Sequence, residues 1–116
     1  MNVRIYHNPR CSKSRQTLEL LRERGVEPDI VEYLNEPPDA ATLLDLAAQL
    51  GVSVRELLRT GESEYKEARS EVDAMDEAGL ANWLSRHPQV MQRPIVVTAE
   101  GARIGRPPEA VLELLE

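Results

Sequence analysis

The first 34 residues leave room for little besides a strand, a helix and a second strand. Residues 2–6 set Val3 and Ile5 in alternation with Arg4, the period of a half-buried strand. His7-Asn8-Pro9-Arg10 then breaks the chain into a loop, because Asn and Pro punctuate regular structure. Over 11–24 the apolar positions Leu18, Leu20 and Leu21 sit among good helix formers, and Gly25 is placed just past the last turn. Residues 29–34 read as the second strand. Strands joined through a helix run parallel, with a right-handed crossover, so the opening commits the chain to an α/β class.

The remainder extends that unit. Asn35-Glu36-Pro37-Pro38 interrupts, and Asp39 is a good N-cap for a helix through Leu50 that Gly51 ends. Ser53 followed by Glu56 is a capping box, opening a short helix through Leu57, Leu58 and Arg59 that Gly61 terminates. Residues 62–75 are highly charged and suggest a helical turn or two. Asp76 caps a helix through Arg86, with Leu80, Trp83 and Leu84 inward, before His87-Pro88 stops it. Residues 92–98 form a β-branched strand, which returns through Ala99-Glu100-Gly101 as a hairpin over 102–105. Arg106-Pro107-Pro108-Glu109 opens a last helix running to Glu116. The expectation is one domain over residues 1–116. It holds a small mixed four-stranded sheet covered by helices, with a central helical insertion at roughly 39–88.

Composition removes several functions. With 14 Lys and Arg against 20 Asp and Glu, the net charge is −6, which argues against a nucleic-acid partner. Three Tyr, one Trp and no Phe argue against a base-stacking platform. No stretch approaches the roughly 20 apolar residues of a membrane helix, and no signal-peptide pattern opens the chain. One Cys and two His are too few soft ligands for structural zinc; no metal and no bound cofactor are expected. A lone thiol without an export signal suits the reducing cytoplasm.

The net charge conceals an asymmetry. Residues 1–25 carry six bases and two acids, and the only cysteine, Cys11, lies among them. Cys11 begins the first helix, where free backbone N–H groups and the positive dipole end favour a thiolate. Arg10, Lys13 and Arg15 add positive charge, Ser12 and Ser14 offer hydroxyl donors, and His7 stands four residues upstream. A free cysteine is more often a small buried hydrophobe, but inert cysteines lack such company. The expected consequences are a depressed thiol pKa and an anion site on the same N–H groups. A phosphatase loop would place Arg six residues after the cysteine, where this chain has Thr17. A dithiol oxidoreductase would place cysteine where Ser14 stands. Disulfide chemistry here must therefore finish on a thiol from elsewhere.

His7-Asn8-Pro9-Arg10-Cys11-Ser12-Lys13-Ser14-Arg15 resembles the active-site loop of the glutaredoxin-coupled arsenate reductases, the ArsC family. Ser53-Val54-Arg55-Glu56-Leu57-Leu58-Arg59, Arg93-Pro94-Ile95-Val96-Val97-Thr98 and Arg106-Pro107 resemble its other landmarks, in order and at similar spacing. The resemblance covers essentially the whole chain and implies a thioredoxin-like fold. It further implies that Arg59, Arg93 and Arg106 converge on Cys11 as an oxyanion clamp. By the same resemblance Pro94 is a cis proline facing the cysteine, Ser14 hydrogen-bonds the thiolate, and His7 helps hold its pKa down. Arg15 is a supporting cation.

The implied reaction is attack of Cys11 on arsenate, followed by glutathione and then glutaredoxin as electron donors. Two alternatives stay open. ArsC-like regulators of the Spx group bind RNA polymerase and use the cysteine loop as a redox sensor, often with CxxC where this chain has CxxS. Other members look like glutathione-dependent thiol reductases with another substrate. Gly105 stands where some arsenate reductases have a second cysteine, one departure from the pattern.

Overall fold

A computed structural model describes residues 2–115 of the chain. The elements in order are β1 (Arg4–His7), α1 (Ser12–Glu23), β2 (Asp29–Glu32), α2 (Ala40–Leu50), α3 (Ser63–Asp73), α4 (Glu77–Arg86), β3 (Ile95–Thr98) and β4 (Gly101–Ile104). Three 3-10 segments, Val54–Leu57, Pro88–Val90 and Pro108–Leu115, complete them. By contact density the chain divides into two compact units, 1–36 with 93–116, and 37–92.

The first unit holds the sheet, in the order β2-β1-β3-β4. β1 and β2 are parallel, as the β-α-β reading requires, while β3 runs antiparallel to both β1 and β4. One face buries Val3, Ile5 and Val96 against Leu18 and Leu21 of α1 and Val111 and Leu114 of the C-terminal segment. Each fully buried aliphatic side chain contributes roughly 1.5–3 kcal/mol. On α1 the inward stripe is Ser14, Thr17, Leu18 and Leu21, so the apolar contact gives way to polar side chains toward the N-terminus. Gly25, at φ 78°, closes the helix, and its N–H and that of Val26 return to the carbonyls of Arg22 and Leu21.

The second unit is helical. Asp39 and Asp76 cap α2 and α4 by accepting from the N–H groups of Thr42 and Gly79. The capping box at Ser53 and Glu56 is present. Its helix stops earlier than expected, because Leu58 bridges Met91 and the Arg59 N–H donates to the Val90 carbonyl. The same pairing draws Gln92 to Leu57, so β3 starts at Ile95 and not at 92. The charged segment forms three turns of α3, more than the turn or two expected, with Val72 as its one buried residue.

Other differences have local causes. β2 ends at Glu32 because the N–H groups of Asn35 and Glu36 both turn back to its carbonyl. The last segment is 3-10, beginning with the Ala110 N–H on the Pro107 carbonyl; its expected end at Glu116 lies outside the described residues. Among the described residues no helix is long and apolar enough to cross a membrane.

Candidate active site

Strand register assembles the site within the first unit. Tyr6 pairs with Ile95, and Ile95 with Ile104. Antiparallel pairing therefore sets Arg93-Pro94 beside the loop that leaves β1, and Gly105-Arg106 beside Arg93-Pro94. The Gly105 N–H continues the ladder onto the Pro94 carbonyl at 2.9 Å. Both the Arg93–Pro94 and Arg106–Pro107 peptide bonds are cis.

Cys11 is the N-cap residue of α1 in an extended conformation (φ −92°, ψ 122°). Its N–H donates to the Asn8 carbonyl and its own carbonyl accepts from Arg15, each at 3.0 Å. The loop is held from several sides. Asn8 Oδ1 accepts the Arg10 N–H at 3.0 Å, and Arg15 Nη1 donates to the Pro9 carbonyl at 2.9 Å. Ser14 Oγ accepts the Asn8 N–H at 3.0 Å and lies 2.6 Å from His7 Nδ1. His7, Asn8 and Ser14 are buried, so these polar groups are satisfied internally rather than by solvent.

The thiol is half-buried. Burial by itself pushes its pKa up. The N–H groups of Ser14 and Lys13, the Arg93 guanidinium and the charge of Arg106 outweigh that and hold Cys11 below the ordinary thiol value. The two N–H groups act without closing a capping hydrogen bond of ordinary geometry. Arg106 Nη2 stands 3.5 Å from Cys11 Sγ, and its Nε donates to the Arg93 carbonyl at 2.8 Å. One arginine thus positions the other.

Three expected roles take a different form. Ser14 acts on the sulfur through its backbone N–H, because its hydroxyl is engaged with His7 and Asn8. His7 touches Ser14 and has its pKa lowered, chiefly by burial, against Glu32, which raises it, and with Arg22 and Arg15. Its charge is therefore not what stabilises a thiolate at neutral pH. Arg15 braces the loop at Pro9.

Arg59 belongs to the second unit. There its Nη1 lies 3.3 Å from Glu62 Oε1.

Two further residues shape the site. Asn8 organises the loop through its side chain, N–H and carbonyl, a role its Asn-Pro turn signal could have flagged. Gly105 lies so close to α1 that a Cβ there would sit 2.6 Å from Thr17 Oγ1 and 2.7 Å from Pro94 Cγ. Only the packed structure exposes that approach. Among the described residues no three His, Cys, Asp or Glu gather to hold a metal.

Residues 6–114 match the ArsC family. The chain is 55% identical over 114 residues to YfgD of Escherichia coli K12, a protein of uncharacterised function, with 97% of this chain and 96% of that one covered. It is 46% identical to an arsenate reductase of Escherichia coli K12, covering 98% of this chain and 81% of the relative. The structure of an arsenate reductase from Vibrio cholerae superposes with a TM-score of 0.92 at 45% identity, over 97% of each chain.

Proposed function

The chain belongs to the ArsC family and has its thioredoxin-like α/β fold, and on that premise we propose that it reduces arsenate to arsenite through Cys11. One observation carries the reading: Arg93 and Arg106 both act on a half-exposed thiol at a helix N-terminus, Arg106 from 3.5 Å. Guanidiniums stay charged and offer paired donors that suit a tetrahedral oxyanion. The cations that favour the thiolate therefore also serve to hold the anion it attacks. Arg59 enters the proposal as a third arm from the family resemblance alone.

The Cys11 thiolate attacks arsenic, forming a sulfur–arsenic bond as one oxygen leaves as water or hydroxide. Glutathione displaces a second oxygen in the same way. A glutaredoxin thiolate then attacks the glutathione sulfur. A disulfide forms between glutaredoxin and glutathione, and the electron pair of the broken sulfur–arsenic bond stays on arsenic, which becomes trivalent. Water releases arsenite and returns Cys11 as the thiol. With a single cysteine in the chain, both outside thiols are required.

The test is turnover by the purified protein with arsenate, glutathione and glutaredoxin, omitting each in turn. Dependence on all three is expected, with no turnover by Cys11→Ser. Disulfide reduction with glutathione but no arsenate turnover would replace the substrate; RNA polymerase binding with no turnover would replace the enzyme by a regulator.

A further inference from the structure

Most cations around the thiol are already committed. Arg15 is spent on the Pro9 carbonyl, Arg22 on Glu27, and Arg106 on the Arg93 carbonyl. Arg10 and Lys13 are different. They flank Cys11 in the chain, both are exposed, and neither side chain has a hydrogen bond or ion pair among the described residues. Their backbones are fixed, Arg10 by Asn8 Oδ1 and Lys13 by its carbonyl on Thr17 Oγ1. Two free positive heads are thus carried on fixed backbone positions one residue before and two residues after the reactive cysteine, in a chain whose overall charge is −6.

We propose that Arg10 and Lys13 select the thiol partner, capturing the carboxylates of a small anionic thiol as its sulfur approaches Cys11. Arg10 also lines a cleft of about 280 Å³ with His7, Asn8, Glu32 and Asn35. That cleft offers a cation for a carboxylate and, at Glu32, an anion for an ammonium. A peptide-like thiol with a zwitterionic end, as glutathione has, fits this pairing better than a neutral thiol. The inference rests on the reading that an outside thiol completes the reaction. It concerns which residues choose that thiol.

The experiment needs no arsenate. Cys11 is reacted with two aromatic disulfides, dithiobis-nitrobenzoate, which bears a carboxylate on each ring, and dithiodipyridine, which is neutral at the assay pH. In each case the Cys11 thiolate attacks one sulfur, forms a mixed disulfide and expels one aryl thiolate, whose absorbance gives the rate. Both reagents sample the same thiolate, so any change in thiol acidity or folding cancels in the ratio of rates.

A single charge pair at 4 Å in water is worth about fivefold, and salt screens it. Arg10→Gln with Lys13→Gln should lower the anionic-to-neutral rate ratio about tenfold at low ionic strength. Arg10→Lys with Lys13→Arg should preserve the ratio, and high salt should erase the wild-type preference. An unchanged ratio in the double Gln variant, or an equal loss with both reagents, overturns the proposal. In the complete turnover assay the same variant should raise the glutathione KM more than the arsenate KM. Absence of arsenate turnover in the wild type would sink the reductase reading while leaving the ratio experiment to stand or fall alone.

Discussion

Replacing Arg106 by Gln removes a positive charge 3.5 Å from the Cys11 sulfur and leaves a shorter, neutral, polar side chain. At the dielectric constant of bulk water, two unit charges at that distance attract by roughly 1.2 kcal/mol. The sulfur is only half-buried, so this aqueous limit is the appropriate floor rather than the much larger low-dielectric value. It corresponds to about an eightfold smaller thiolate-to-thiol ratio at any pH. The Nε donor to the Arg93 backbone carbonyl, which holds the Arg106 side chain in place, is lost with the guanidinium. The assay is the rate of alkylation by iodoacetamide across pH. At neutral pH the Gln variant should react more slowly, with the deficit approaching the full, roughly eightfold factor as pH falls and the wild-type thiol becomes mostly protonated. At a pH where both proteins are fully ionised the rates should converge, since the shorter neutral side chain puts nothing in the path of the reagent. Arg106→Lys, which keeps the charge, should recover part of the loss. Equal neutral-pH rates for wild type and Arg106→Gln would refute the claim that this arginine sustains the thiolate. Unequal rates at high pH would show that the residue governs access instead.

Two further outcomes follow from the buried polar loop. Ser14→Ala deletes the hydroxyl that both His7 and the Asn8 N–H use; leaving those buried groups unmatched should lower unfolding stability by about 1–3 kcal/mol in urea titrations. Because the Ser14 N–H remains, thiol alkylation should change less than in Arg106→Gln. His7 has a pKa lowered from 6.5 by burial, with Glu32 of β2 opposing and Arg15 and Arg22 of α1 assisting. Between its folded value and 6.5 the unfolded chain binds the extra proton, so stability is full above 6.5 and declines as pH falls toward the folded value. The slope is at most about 1.4 kcal/mol per pH unit for one proton. Urea midpoints taken across that window should show the decline in wild type and a flatter profile in His7→Gln.

Much of this molecule is written in short stretches of sequence. The β-α-β opening, the caps at Asp39, Ser53 and Asp76, Gly25 beyond α1, and a cysteine at the first helix N-terminus all depend on neighbours within a few residues. Periodicity and capping chemistry encode them directly. The element ends were less legible for a physical reason. β3 begins at Ile95 because the residues before it pair with 57–59 in the second unit. β2 stops where a turn consumes its carbonyl. Neither competition is visible in a local window.

The site shows the same division. Sequence alone determined that Cys11 would meet free amides and a positive dipole, because the strand-loop-helix junction is local. That the sulfur would meet Arg106, 95 residues away, was reached only by resemblance, and the structure gives the cause. The register of β1 on β3 and of β3 on β4 carries Arg93 and Arg106 to the loop, and the missing side chain at Gly105 leaves room for Thr17 and Pro94 against it. Tertiary structure also decided which atom of each residue acts. Burial turned the Ser14 hydroxyl toward His7 and left its backbone N–H to the thiol, and it lowered the affinity of His7 for a proton. Chain neighbours set the type of a group. Its partner and protonation follow from what long-range packing places against it and how much water is removed.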